Sequence, residues 1–152
     1  TNKPVIIFMG YGLFEKEIQQ YALAHDNIFY HEAVSPDVLL EYTASADFGL
    51  SLIEDTCLSH RFCLPNKLFE YLMAGIPVLV SDLEEMRKIV TNNEVGIVIK
   101  NNDSKGLKKA IIEAEQLDLD MISKKIYQFK HIYNWETQER KLLKTYKELY
   151  ET

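Results

Sequence analysis

Short apolar runs along this chain alternate with stretches in which apolar residues recur every three or four positions. The first pattern belongs to buried strands and the second to amphipathic helices, so the alternation predicts a parallel sheet flanked by helices. Strands are expected over 5–9, near 28–31, and over 48–53, 78–81 and 95–99. Between the first two, Phe14, Ile18, Tyr21 and Ala22 take core spacing on a helix, and Ser35-Pro36-Asp37 opens a short helix after the second. Further helices are expected over 65–74, 83–90, from Asp103-Ser104 onward, about 118–132 and 136–150, while 54–63 carries no obvious secondary structure. The last helix puts Trp135, Leu142, Tyr146 and Leu149 on one face, suited to packing on a partner domain. The fold class expected is α/β, a Rossmann-like parallel sheet in one domain covering 1–152.

The run LPNKLFEYLMAGIPVLVSD (64–82) is the most informative part of the chain. Pro65 suits the first helical position, and the free N–H groups that follow it combine with the helix dipole into an anion site. Leu64, Leu68, Phe69, Leu72 and Met73 form one apolar stripe, with Lys67 and Glu70 on the other side. Gly75 supplies a left-handed stop, Pro77 blocks continuation, and VLV reads as a core strand. Glu70 lies about one turn, roughly 5 Å, from the anion end. A diphosphate held there would bring a ribose to it.

Ligands of open α/β sheets bind beyond the carboxyl ends of the strands, which gathers Gly10-Tyr11-Gly12, residues 54–64 and the start of helix 65–74 as one candidate site. The Gly10-Tyr11-Gly12 turn lets backbone approach phosphates or a sugar, Asn66 and Lys67 offer N–H groups after Leu64 and Pro65, and the Lys67 ammonium adds charge. Each role competes with a plainer one: an i, i+3 pair between Lys67 and Glu70, packing of Tyr11, or a simple strand-to-helix turn at the glycines.

These residues carry a family resemblance. The 64–82 run resembles the signature segment of glycosyltransferase family 4 and its relatives of two-Rossmann-domain (GT-B) architecture, in the subset with Pro-Asn-Lys-x-x-Glu-Tyr before Ala-Gly-x-Pro. VIIFMGYG (5–12), SADFGLSLI (45–53), NNEVGIVI (92–99) and the stretch from Trp135-Glu136 to LLKTYKELY (142–150) resemble other blocks of the family, so the likeness covers nearly the whole chain. It implies the C-terminal, donor-binding half of a retaining glycosyltransferase that moves a sugar from a UDP- or GDP-type nucleoside diphosphate sugar to a glycan or lipid-linked acceptor. Glu70 would hold the donor ribose, and Glu32, Ala33 and Val34 would lie near the nucleobase. The resemblance also implies that an N-terminal acceptor domain and a first strand of this domain are absent, so that 1–152 alone would be inactive and any membrane contact would come through the missing half. One departure stands out: many relatives carry a Glu eight positions before the ribose Glu, where this chain has Phe62. That leaves sugar recognition unassigned, with Glu54 and Asp55 as substitutes.

Composition narrows the rest. A chain of 152 residues with 47% hydrophobic and 26% charged residues is an ordinary globular one, and a formal net charge of −6 argues against nucleic acid as partner. Cys57 and Cys63 lack zinc spacing and are too few for a disulfide scaffold, which fits reduced thiols in the cytoplasm. His25, His31, His60 and His131 form no cluster, His60 alone falling in the loop near the expected cleft. No metal or other cofactor is expected, since departure of the diphosphate would be helped by helix N–H groups and basic side chains. G-x-x-x-x-G-K-[ST] is absent, and G-x-G-x-x-G fails at Glu15. The competing readings are a non-catalytic Rossmann-like assembly module and a GT-B-fold sugar-nucleotide epimerase.

Overall fold

A computed structural model describes residues 3–151. Strands and helices alternate as β1 (Ile6–Met9), α1 (Glu15–Ala24), β2 (Ile28–His31), α2 (Pro36–Thr43), β3 (Gly49–Ser51), α3 (Leu58–Arg61), α4 (Asn66–Ala74), β4 (Val78–Ser81), α5 (Glu84–Asn93) and β5 (Gly96–Ile99). Helices α6 (Ser104–Ala114), α7 (Leu119–Ile132) and α8 (Trp135–Tyr150) complete the chain. Every strand pair is parallel, in small sheets flanked by helices, which is a Rossmann-like α/β arrangement. The fold divides into two compact units, one running to Leu39 and the other starting at Leu40.

In the first unit β1 and β2 pair in register from Ile6 with Ile28 to Met9 with His31, joined by α1 as a crossover. The expected apolar stripe on α1 does not become a core: Ile18 and Ala22 are half-buried, but Phe14 and Tyr21 are exposed. Two strands and one helix have too little surface to bury a helix stripe within the unit itself.

The second unit holds a sheet of order β3-β4-β5. All four residues of the central strand are buried, as a parallel strand covered on both faces requires. On one face Leu68 and Leu72 of α4, Met86 and Val90 of α5, and Ile122, Ile126 and Phe129 of α7 meet Val78 and Val80. On the other, Ala110 and Ala114 of α6 close over Leu79, Ile97 and Ile99. Each fully buried large side chain contributes roughly 1.5–3 kcal/mol of transfer free energy.

Helix α4 seats tightly on β3 and ends where the sequence says it must. A Cβ on Gly49 would lie 2.1 Å from Tyr71 Cγ, so only glycine lets the helix approach this closely. Gly75 takes φ 97°, its N–H reaches the Leu72 carbonyl at 3.1 Å, and the Ile76 N–H reaches Tyr71 O at 3.1 Å, the paired bonds of a Schellman stop.

Several boundaries differ from expectation. Pro65 is the N-cap residue with extended backbone (φ −70°, ψ 145°), so α4 begins at Asn66 and not at the proline. Residues 54–63 contain the one-turn helix α3, which its Arg61-to-Cys57 and Phe62-to-Leu58 backbone bonds hold at 3.0 and 3.1 Å without an apolar period to announce it. Strand 48–53 shortens to Gly49–Ser51, because the Ile53 N–H turns from the ladder to the Ser81 hydroxyl at 2.8 Å. Helix 83–90 runs on as Glu84–Asn93, ending at Glu94 in the left-handed region (φ 53°). Helix α8 keeps Trp135, Leu142, Tyr146 and Leu149 exposed on one face. Among the described residues no helix is long and apolar enough to cross a membrane.

Candidate functional site

The N-terminus of α4 is open to an anion, and the reason is local. Helices α6, α7 and α8 cap themselves: the side chains of Asp103, Asp118 and Asn134 accept from the N–H three residues on. Pro65 has no side chain that can do this, and α4 has no acidic residue in its first turn. The first backbone bond at this end runs from the Leu68 N–H to Pro65 O at 3.0 Å, which leaves the N–H groups of Asn66 and Lys67 without a backbone acceptor. Asn66 is exposed and Lys67 half-buried beside them. A negative group here would meet two donors, the positive end of the helix dipole and an ammonium.

Glu70 stands one turn further on, about 6 Å along the axis, half-buried. The i, i+3 pair with Lys67 does not form; neither side chain enters an ion pair among the described residues. Glu70 acts instead on its neighbour. Burial, and then the Glu70 charge, hold the Tyr71 phenol above its ordinary titration range. The Tyr71 hydroxyl reaches back to Leu50 O at 3.4 Å. Leu64, expected on the apolar stripe, is 41% exposed and flanks the open helix end, whereas Leu68 and Leu72 are fully buried.

The first unit brings its own expected residues together. Because β1 and β2 are parallel and in register, the Gly10-Tyr11-Gly12 turn and Glu32-Ala33-Val34 leave the same carboxyl edge. Gly10 N–H donates to His31 O at 3.1 Å and Gly10 O accepts from the Tyr30 hydroxyl at 3.1 Å, which anchors the turn. Gly10 has φ 140° and open space where a Cβ would point, as Gly12 does. Tyr11 is 87% exposed, so it does not pack. Glu32 and Ala33 are exposed and Val34 half-buried.

The loop from β3 to α4 holds what sequence reasoning missed. Asp55 is committed to Arg61 through a bidentate pair, Nε to Oδ1 at 3.2 Å and Nη2 to Oδ2 at 3.0 Å. The pair raises the guanidinium's already high titration range, with Glu84 adding a smaller push. His60 Nδ1 lies 2.9 Å from Thr56 Oγ1 and 3.0 Å from Glu54 O. A spacing of six, from Asp55 to Arg61 and from Glu54 to His60, has no periodic signature, so no pattern could have revealed these contacts. Cys57 is exposed, Cys63 half-buried, and both are free thiols. Among the described residues no three His, Cys, Asp or Glu side chains gather as a metal site.

The family whose model this chain matches, over residues 3–145, is described as "Glucosyltransferase 3-like, C-terminal domain". No curated protein gives a significant match.

Proposed function

The chain belongs to the glucosyltransferase 3-like C-terminal domain family, a glycosyltransferase family, and from that premise we propose that it binds the nucleoside diphosphate sugar donor of a retaining, GT-B-type sugar transfer. The uncapped, acid-free start of α4 is the observation that carries this reading. The donor diphosphate takes the Asn66 and Lys67 N–H groups and the Lys67 ammonium, with Leu64 and Pro65 shaping the approach. Glu70 accepts from the ribose hydroxyls. Gly10, Tyr11 and Gly12 supply further donor contacts, and Glu32, Ala33 and Val34 meet the nucleobase. As the bond to the sugar breaks, charge grows on the diphosphate, and preorganised N–H groups favour that state over the ground state. The acceptor, a glycan or lipid-linked sugar, is held by another domain of the complete enzyme.

The test is calorimetric titration of the complete protein with UDP and GDP, run beside Glu70→Ala and repeated with the 2′-deoxynucleotide. One nucleotide binds, Glu70→Ala weakens it by about 1–3 kcal/mol, and with the deoxy ligand that penalty falls, because one of the two hydroxyls that Glu70 receives is gone. Silence with every nucleotide would instead favour a non-catalytic assembly module, the reading to which Phe62 lends support.

A further inference from the structure

The loop between β3 and α4 is built outward from the sheet. The Ser81 hydroxyl at the end of β4 accepts from the Ile53 N–H at 2.8 Å and donates to Asn102 Oδ1 at 3.0 Å. Asn102 Nδ2 then donates to Ile53 O at 3.1 Å, which closes the ring and fixes Ile53 at the carboxyl ends of β4 and β5. The carbonyl of the next residue, Glu54, lies 3.0 Å from His60 Nδ1. A carbonyl oxygen only accepts, whereas the Thr56 hydroxyl 2.9 Å from the same nitrogen can accept as well as donate, so both contacts are met together when Nδ1 carries the ring hydrogen, and in the neutral ring Nε2 then keeps its lone pair. The Arg61–Asp55 clamp, next in sequence, steadies the helical turn that carries the ring. His60 is exposed, and Nε2 bonds to no described residue.

We infer that His60 Nε2 accepts a hydrogen bond from a hydroxyl of the donor's sugar, making His60 a specificity-determining contact. The inference rests on the donor-binding reading above. A neutral Nε2 has a lone pair to offer and no hydrogen to give. A diphosphate, which is all acceptors, gains nothing from it, and the ribose hydroxyls belong to Glu70 in that reading. The nucleobase, whose N–H groups also donate, is met by Glu32, Ala33 and Val34 in that reading, which leaves the hydroxyls of the transferred sugar as the donors for Nε2. The loop's ties to Ser81 and Asn102 hold the ring in place before ligand arrives, so little ordering cost is added on binding.

The test measures affinity of the complete protein for UDP and UDP-glucose, and for GDP and GDP-glucose, in wild type, His60→Asn and His60→Gln. Asparagine keeps an N–H where Nδ1 sits and so preserves the bond to Glu54 O while deleting Nε2. The expected result is a nucleoside diphosphate affinity unchanged within about twofold and a sugar-nucleotide affinity lowered about 3–10-fold, the worth of one neutral hydrogen bond. Glutamine, whose amide reaches the Nε2 position, recovers part of that loss. Equal weakening of both ligands in His60→Asn would make the residue a loop support and overturn the inference. So would no weakening of either. If wild type binds none of the four ligands, the donor reading fails and takes this inference with it; binding in wild type with an indifferent His60→Asn sinks the inference alone.

Discussion

Gly49→Ala is the substitution that most directly tests how α4 is held against the sheet. The added methyl would stand 2.1 Å from Tyr71 Cγ, 2.3 Å from Cδ2 and 2.7 Å from Cβ. A rotation about χ1 moves the ring but leaves Cβ where it is, so the clash is relieved only by lifting the helix. Carbon atoms need about 3.5–4.0 Å, which means a shift of roughly 1 Å at the root of Tyr71. Overpacking of that kind costs about 1–3 kcal/mol, offset by about 0.5–1 kcal/mol gained when alanine replaces glycine in a strand. The net expectation is a loss of about 1 kcal/mol, read as a lower urea midpoint at unchanged slope and a melting temperature about 2–4 °C lower for a domain of this size. Tyr71→Ala removes the two nearest atoms, so Gly49→Ala made in that background costs at least about 1 kcal/mol less than it does alone. Costs that add within about 0.5 kcal/mol would refute the reasoning, because the methyl would then have some neighbour other than Tyr71.

Phe129→Ala, which empties a fully buried place beside Phe69 and Tyr133, lowers stability by about 3–5 kcal/mol in denaturant titration. Glu94→Gly raises it by about 1 kcal/mol: a left-handed glycine carries no Cβ penalty, and the exposed ion pair with Lys125 that is lost is worth little. Asp118→Ala deletes the cap that accepts from the Met121 N–H at 3.0 Å and costs about 1 kcal/mol, measured in the same way. In ultraviolet titration Tyr71 ionises above the ordinary phenol value near 10, and Glu70→Gln brings it part of the way down, since burial is the larger cause and the Glu70 charge the smaller. A phenol held higher in the fold than in the unfolded chain contributes stability that is whole below pH about 10 and lost as pH rises through the folded value; flat stability across that window would contradict it.

How much of this was legible in the sequence depended on whether a residue's partner lay nearby along the chain. Strand and helix periods are local, so the order of elements could be read directly, and so could the stop at Gly75, whose bonds run no further than Ile76 to Tyr71. The closing of β3 was not readable: Ser81 takes the Ile53 N–H from 28 positions away, and Asn102 takes its carbonyl from 49. Nor was the start of α4. Proline fits both the first helical position and the cap, and only the extended ψ of 145° separates the two. The α1 stripe had the correct period and still stayed largely exposed, because a period says which side of a helix is apolar and nothing about what covers it.

The candidate site follows the same division. Asn66, Lys67 and Glu70 were legible because a helix start writes its own chemistry into consecutive residues: a proline that cannot cap, free N–H groups, and a carboxylate one turn later. The β3–α4 loop was opaque because its order is made by side chains reaching backbone and by one arginine fork, at spacings that favour no regular element. Sequence alone left Asp55 as a free acid able to replace the carboxylate missing at Phe62; in the fold both of its oxygens accept from the Arg61 guanidinium. Nε2 of the neighbouring His60 bonds to no described residue, while Nδ1 is tied to a carbonyl that can only accept. The contacts that order this short loop join residues six apart, and they are visible only once the fold has brought Glu54 to His60 and Asp55 to Arg61.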